Sequence, residues 1–470
     1  MTRRLAVPAI IFLVVWGLTT HGKYSLSGDE PHYLMVAQSL LADGDIDLQN
    51  NYENGDGRLF GSPDLGPERH ARFARDGRFL SVHDVGLPLV LVPAYAAATR
   101  VAAMTPAAQL ARFRMTPGLF AYSLVSMTIL FVFCISAALT CEALRQRGIP
   151  RLAAALLVAS LWLTAPVLSN AFLVFPEALA IAVTSWTVYA SSRQRERWTP
   201  SDWLLVLALG CLPWAHRKYV FYGLTLLASF GWFRRDAGIN RSVLLRVAAL
   251  YAVPQIVLAV WTYHYWGNLA GPLALDGLPF SWDAFGHGVI GTFVDRENGL
   301  LWWAPAYAMV PAAWWLGDRS NRVWALPVAA LLLPGAAHDL WWGGFSPAVR
   351  FLVPAAPIVC VICAPALVRS TRLRAISIAL LLPQFAIAGY GWQRPRLLWP
   401  RGDAENRILA ALAPRLDAWA PSLRWMTEHA WTRAIELLTI VALANLIAIL
   451  ISQREIAVSE GGPISPERRR

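Results

Sequence analysis

The sequence predicts an all-α polytopic membrane protein, and three observations carry that prediction. Of the 470 residues, 56% are hydrophobic and only 15% are charged, with a mean hydropathy of +0.43. A water-soluble domain carries about 25% charge and could not cover so much apolar surface. Apolar segments near the ~20 residues that span a bilayer recur along the whole chain. The net charge of +11 rests on Arg, with Lys23 and Lys218 the two lysines. Such an excess in a membrane protein marks loops held against anionic lipid rather than a nucleic-acid partner. Aromatic residues interleaved with Arg, 22 Trp among them, fit interfacial belts better than base stacking. Cys134, Cys141, Cys211, Cys360 and Cys363 all fall in apolar stretches, so neither a disulfide framework nor a zinc site is indicated. Cys360 and Cys363 have CxxC spacing but no other ligand type beside them, and read as small core residues.

Residues 1–4 are a short basic flank, and residues 5–20 form an apolar first helix that enters the membrane with its start inside. Thr19-Thr20-His21-Gly22-Lys23 is a poor cleavage site, so this helix is expected to stay uncleaved. Residues 21–83 are the longest polar stretch, holding 10 of the 30 acids, and orientation places them outside. A loop of this length between membrane helices is usually functional. It opens with Ser27-Gly28-Asp29-Glu30-Pro31-His32-Tyr33-Leu34. The apolar positions 33, 36, 37 and 40 that follow share one face of a short amphipathic helix. Asp29 reads equally as an N-cap, with Pro31 in the first turn, and as a reactive carboxylate facing the membrane surface; the two roles are compatible.

Farther along, Asp43-Gly44-Asp45-Ile46-Asp47 resembles the opening of a calcium loop. Leu48 stands where the turn glycine belongs and Asn54 where the closing acid belongs, which favours a solvated turn. Arg69, Arg72, Arg75 and Arg78 recur every three residues, as a lipid-phosphate surface or a solvated face. The loop closes with Ser81-Val82-His83-Asp84 and runs into Val85-Gly86-Leu87-Pro88, the expected start of a second membrane helix ending near Arg100. His83 and Asp84 therefore emerge at the same interface as Asp29, as a helix cap or as functional groups.

Further apolar segments fall at about 118–144, 151–168, 174–191, 203–215, 217–233, 242–266, 300–316, 323–338, 350–368, 375–391 and 432–452, giving 12 or 13 spans. Basic clusters at 193–197, 234–235, 318–322, 369–374 and 468–470 read as cytoplasmic. One conflict remains: the basic stretch 145–151 falls outside by simple counting. Either 84–117 does not cross as one helix or this loop breaks the rule. The expected division is a membrane domain over 1–452, with its external loop at 21–83, and a basic, disordered cytoplasmic tail over 453–470.

That orientation gathers the unusual polar groups at one mouth. His216-Arg217-Lys218 interrupts an apolar stretch, and such cations are costly unless solvated or paired. A lipid-linked phosphate would explain them, while snorkelling to headgroups is the structural alternative. Arg350 follows Trp341-Trp342-Gly343-Gly344-Phe345-Ser346-Pro347 and offers a planar fork suited to phosphate oxygens.

The acid pair after the first helix, the long external loop, the Gly86-Leu87-Pro88 entry and the Trp-Gly-Gly approach to Arg350 together resemble the GT-C superfamily of membrane glycosyltransferases. Within it the chain is most similar to the bacterial protein O-mannosyltransferase and aminoarabinose-transferase type. The resemblance implies a GT-C-like bundle in the bacterial inner membrane with its site facing the periplasm or outside. It implies an inverting transfer from a polyprenyl-phosphate sugar to a hydroxyl of a lipid, glycan or protein acceptor. Asp29 matches the catalytic carboxylate of the first external loop, with Glu30 its neighbour. Arg217, Lys218 and Arg350 match the donor-phosphate cations, and His32, His83, Asp84 and His216 are candidates for sugar or acceptor binding. A base at Asp29 takes the hydroxyl proton while cations stabilise the leaving phosphate; a single displacement needs one base, unlike the carboxylate pair of most glycosidases. No metal is required by this scheme, though Asp29, Glu30 and Asp84 are acids able to hold a divalent ion. The Lys-Pro-Pro entry of many relatives is replaced here by residues 83–88, so no Lys role carries over. No soluble domain is expected after residue 452, which leaves acceptor recognition to the loops. The alternative is a transporter or flippase of a lipid-linked saccharide, which would share the cations but need no base. Such proteins commonly show paired repeats, and no internal repeat is evident.

Overall fold

The computed structural model describes residues 6–20, 25–26, 28–193, 197–236, 240–272 and 282–459. The apolar runs fold as helices, and several starts carry a proline or a capping side chain. The chain begins with α1 (Ala6–Thr20) and α2 (Glu30–Ala42), followed by α3 (Gln49–Glu53) and an antiparallel ribbon of β1 (Ala71–Phe73) and β2 (Phe79–Ser81). Next come α4 (Gly86–Met104), α5 (Ala107–Arg112), α6 (Pro117–Gln146), α7 (Arg151–Trp162), α8 (Val167–Asn170) and α9 (Glu177–Ser191). The middle of the chain forms α10 (Pro200–Ala215), α11 (Tyr219–Arg234), α12 (Arg241–Trp266), α13 (Trp282–Val294), α14 (Leu300–Trp303) and α15 (Val310–Leu316). The last part forms α16 (Ala325–Ala336), α17 (Ala356–Arg369), α18 (Thr371–Gln393), α19 (Arg407–Leu412), α20 (Pro414–Trp419) and α21 (Ala430–Ser459).

Capping explains several starts. Thr116 accepts from the Leu119 amide with Pro117 in the first turn of α6, and Thr199 with Asp202 forms a capping box on α10. Six helices among the described residues are long and apolar enough to cross a membrane. The chain is a multi-pass, all-α membrane protein. Within the spans, α12 and α21 bury only 11% and 17% of their most apolar stretch, as lipid-facing helices do, whereas residues 350–369 bury 78% and form the centre of the bundle.

Contacts resolve the topological conflict at 84–117. Gly86, at the start of α4, packs against the backbone of Trp214 and Ala215 beside the His216 turn. At the start of α6, the Tyr122 hydroxyl donates to Glu30 at 2.8 Å, and Gly61 lies against the Leu119 backbone. Both ends of the segment therefore sit at the Asp29 face. Although α4 is long and apolar enough to cross, it lies alongside α2, where the Tyr95 hydroxyl donates to Gln38 at 3.0 Å, and it returns the chain to the face it left. The span begun by α6 is 30 residues, about 45 Å long, and reaches the opposite face. There Arg147 donates to Ser192 at 2.7 Å and to Asn321 at 2.6 Å. This places the basic 145–151 stretch with the other Arg clusters.

Two further expectations change in detail. The helix α2 is not a half-exposed amphipathic helix, because every residue from Glu30 to Ser39 is buried; α4 and the 3-10 turn at Asp56–Phe60 cover its second side. The acids of 43–47 form a turn as expected: Asp45 accepts from Ser39 and from the Asp47 amide. All five cysteines are free. The last helix runs through position 452 to Ser459, and the rest of the basic tail, like Ser27 and residues 1–5, lies outside the described residues.

Candidate active site

Asp29 occupies the N-cap position of α2 but makes no side-chain cap bond, so its carboxylate is not committed to the helix. It turns instead toward Arg350, whose Nη1 and Nη2 donate to Oδ2 at 3.4 and 3.5 Å across 321 positions of sequence. The two groups meet because Gly28 permits it. Gly28 has φ +56°, and a Cβ there would lie 2.5 Å from the carbonyl oxygen of Phe345. On the other side, Gly343 (φ +98°), Gly344 (φ +68°) and Val349 (φ +61°) bend the loop that delivers Arg350. Left-handed backbone at Val349 is costly for a β-branched residue, and the surrounding packing holds it there, since Ala348 and Val349 are both buried. The Arg350 guanidinium also lies over the Phe175 ring, 4.6 Å from its centroid.

Each expected phosphate cation is held by an acid. Lys218 Nζ donates to Glu177 Oε1 at 2.6 Å, and the same oxygen lies 3.8 Å from Arg350 Nε. Arg217 donates to Asp84 twice, from its backbone amide at 2.9 Å and from Nε at 2.8 Å. His216 accepts from the Lys218 amide at 3.2 Å through Nδ1, fixing the turn between α10 and α11. Arg217 Nη1 and Arg350 Nε are buried without a hydrogen-bond partner among the described residues.

A histidine cluster closes the third side. His32 stacks on His70, with ring centroids 3.8 Å apart and planes inclined by 13°, and His32 Nδ1 shares a 2.9 Å hydrogen bond with the Tyr52 hydroxyl. His70 Nδ1 and His83 Nε2 share another at 2.9 Å, and His70 Nδ1 lies 4.0 Å from Asp29 Oδ1. Burial pushes His32 down to about 3 and His83 down to about 4, so both are neutral at neutral pH. For Asp29, burial raises the carboxyl, but His83, Arg350, His70 and His216 together lower it by more, leaving it well below the usual carboxylate range. Asp29 is thus an ionised carboxylate whose side chain remains 24% exposed at the mouth.

The structure therefore brings Asp29, His32, His83, Asp84, His216, Arg217, Lys218 and Arg350 to one mouth. Glu30 belongs elsewhere: it is fully buried and accepts from the Tyr122 hydroxyl and the Val174 amide, anchoring α2 to α6 and to the loop before α9. His70 and Tyr52 are the site residues that sequence reasoning does not single out, and Glu177, which it places among the polar groups of the outer mouth, is given no role by it. Glu177 had a signal, an acid following Phe175-Pro176 at the start of an apolar span. His70 stands inside the Arg69–Arg78 run, where a lone imidazole carries no pattern of its own. The acids thought able to share an ion with Asp29 are engaged separately, Glu30 with Tyr122 and Asp84 with Arg217; the donor atoms grouped with Asp29 are those of His70 and His83.

No protein-family model matches the sequence, and no curated protein does. Solved structures do match. The crystal structure of ArnT from Cupriavidus metallidurans in the apo state is similar over 97% of this chain and 74% of that one, with a TM-score of 0.50 and 15% identity. The same enzyme bound to undecaprenyl phosphate is similar over 97% and 75%, with a TM-score of 0.51 and 15% identity. ArnT is an aminoarabinose transferase of the GT-C type. At this identity the likeness is one of architecture, and the chain is built on the GT-C fold expected from its sequence.

Proposed function

We propose that the protein is an inverting glycosyltransferase that moves a sugar from a polyprenyl-phosphate donor to an acceptor hydroxyl at the outer face of a bacterial inner membrane. The observation that carries this reading is the pairing of Asp29, an ionised and partly exposed carboxylate freed from its helix-capping role, with Arg350 at 3.4 Å. A neighbour of the same fold bound to undecaprenyl phosphate supports a polyprenyl phosphate as the carrier. The Arg clusters at the opposite face support a site that looks outward.

In this mechanism Asp29 accepts the proton of the acceptor hydroxyl as its oxygen attacks the anomeric carbon. The bond from that carbon to the phosphate oxygen breaks, and Arg350, Lys218 and Arg217 stabilise the charge left on the lipid phosphate. Glu177 and Asp84 are positioning residues that hold those cations in place in a low-dielectric setting. Glu30 holds α2, and with it Asp29, in register.

The test is release of free polyprenyl phosphate from a panel of polyprenyl-phosphate sugars by the purified protein in lipid nanodiscs, with membrane extract as acceptor. The Asp29→Asn protein should still bind the donor while release falls by roughly 10²–10⁴-fold, the range for a general base. Undiminished release by Asp29→Asn overturns the assignment. Saturable donor binding with no release from any donor points to a carrier of lipid-linked saccharide.

A further inference from the structure

The histidine cluster beside Asp29 is not used by the transfer chemistry, and its geometry has a specific meaning. His70 lies immediately before β1 and His83 two residues after β2, so the antiparallel ribbon, with Ala71 opposite Ser81, brings them together at its open end. The Val82 amide donates to the His70 carbonyl at 2.9 Å, which extends the pairing to that end. The turn before α2 supplies Asp29 from a third direction. His70 Nδ1, His83 Nε2 and an Asp29 carboxylate oxygen all lie within 4.8 Å of one another.

We infer that Asp29, His70 and His83 form a binding site for a divalent transition-metal ion. Around a tetrahedral ion with bonds of ~2.0–2.2 Å, neighbouring donor atoms stand about 3.3–3.6 Å apart. The 2.9 Å between the two imidazole nitrogens and the 4.0 Å from His70 to Asp29 bracket that range, so small side-chain rotations close the triad. Two imidazoles with one carboxylate select zinc- or cobalt-like ions over calcium or magnesium, which prefer all-oxygen sites. Three protein ligands leave a fourth position for an exogenous oxygen.

Ring contacts pack against both imidazoles. The His32 ring, held by Tyr52, stacks flat on His70, and Tyr33 packs on His83 with centroids 4.9 Å apart. Without an ion, one of the two facing nitrogens carries the shared proton. When the ion binds, that histidine takes its other tautomer, with the proton on the far ring nitrogen.

The consequence for donor binding rests on the transferase reading; the metal site does not. At the mouth, Asp29, Asp84 and Glu177 face Arg217, Lys218 and Arg350 in equal number. A bound dication tips that balance toward an incoming phosphate.

The experiment titrates Co²⁺ into the purified full chain, without a polyhistidine tag and without donor, and follows the visible d–d absorption. One equivalent should bind and be displaced by Zn²⁺. His70→Ala and His83→Ala should each abolish the spectrum, while His429→Ala, at an exposed histidine, should leave it unchanged. Wild-type protein that binds no cobalt overturns the inference, and so does a one-equivalent spectrum that survives both His70→Ala and His83→Ala. Should His70→Ala fold poorly, His70→Gln, checked by size exclusion, replaces it. Because no donor is present, absence of sugar transfer leaves this result standing.

Discussion

Gly28→Ala is the perturbation that most directly tests how the site is assembled. The new Cβ would lie 2.5 Å from the Phe345 carbonyl oxygen, and ordinary contact begins at 3.4 Å, so the two loops must part by about 0.9 Å. The Asp29–Arg350 contact, now 3.4 Å, then opens beyond 4 Å. A displacement of about 1 Å at a reacting centre costs on the order of 10²-fold in rate. The left-handed backbone at Gly28 adds about 1–2 kcal/mol of strain for any residue with a Cβ. Gly44→Ala is the control: its φ is +75° and nothing lies within 4 Å of the added Cβ. Both variants carry the backbone strain, and Gly28→Ala should lose more thermal stability than Gly44→Ala because its Cβ also meets the Phe345 carbonyl. In the polyprenyl-phosphate release assay, Gly28→Ala should lose about 10²-fold in kcat/KM while Gly44→Ala keeps its rate. Equal turnover by the two proteins would refute the claim that the close approach at Gly28 sets the Asp29–Arg350 geometry.

Other outcomes follow from the same contacts. Glu177→Ala removes the partner of a buried Lys218 and a neighbour of Arg350; about 3–5 kcal/mol of stability should be lost, read as a lower midpoint of thermal unfolding in detergent. Arg234→Ala, which breaks the buried pair with Asp202 at the opposite face, should cost a similar ~3–5 kcal/mol yet leave the per-molecule transfer rate of the folded fraction intact. Burial pushes Lys218 down to about 8, so this cation is present below pH 8 and lost as pH rises through it. The donor KM should therefore climb above pH 8 in wild type and lose that step in Lys218→Met. For stability the sign is opposite: between about 8 and 10.5 the unfolded chain holds the Lys218 proton that the folded chain has given up. The contribution of this group to unfolding free energy therefore rises with pH across that window.

Much of this molecule was legible in one dimension. Hydropathy, the Arg-rich loops and the long polar loop gave the membrane class, because burial in lipid constrains composition segment by segment. Asp29, Arg217, Lys218 and Arg350 could be picked out because an ionisable group at the edge of an apolar run is conspicuous where it stands. Pairing was not legible. That Asp84 holds Arg217, that Glu177 holds Lys218, and that Glu30 turns inward to Tyr122 and Val174 depends on contacts spanning 133, 41, 92 and 144 positions. The same limit hid the fate of α4, whose length and apolarity are those of a crossing helix. Only its contacts with α2 and the return of α6 to Tyr122 show that it stays at one face. Local sequence reports the medium a residue lives in, since solvation acts on each side chain separately. Which carboxylate meets which cation is a property of the packed bundle, because Coulombic and hydrogen-bond partners are chosen by distance in space rather than by order along the chain.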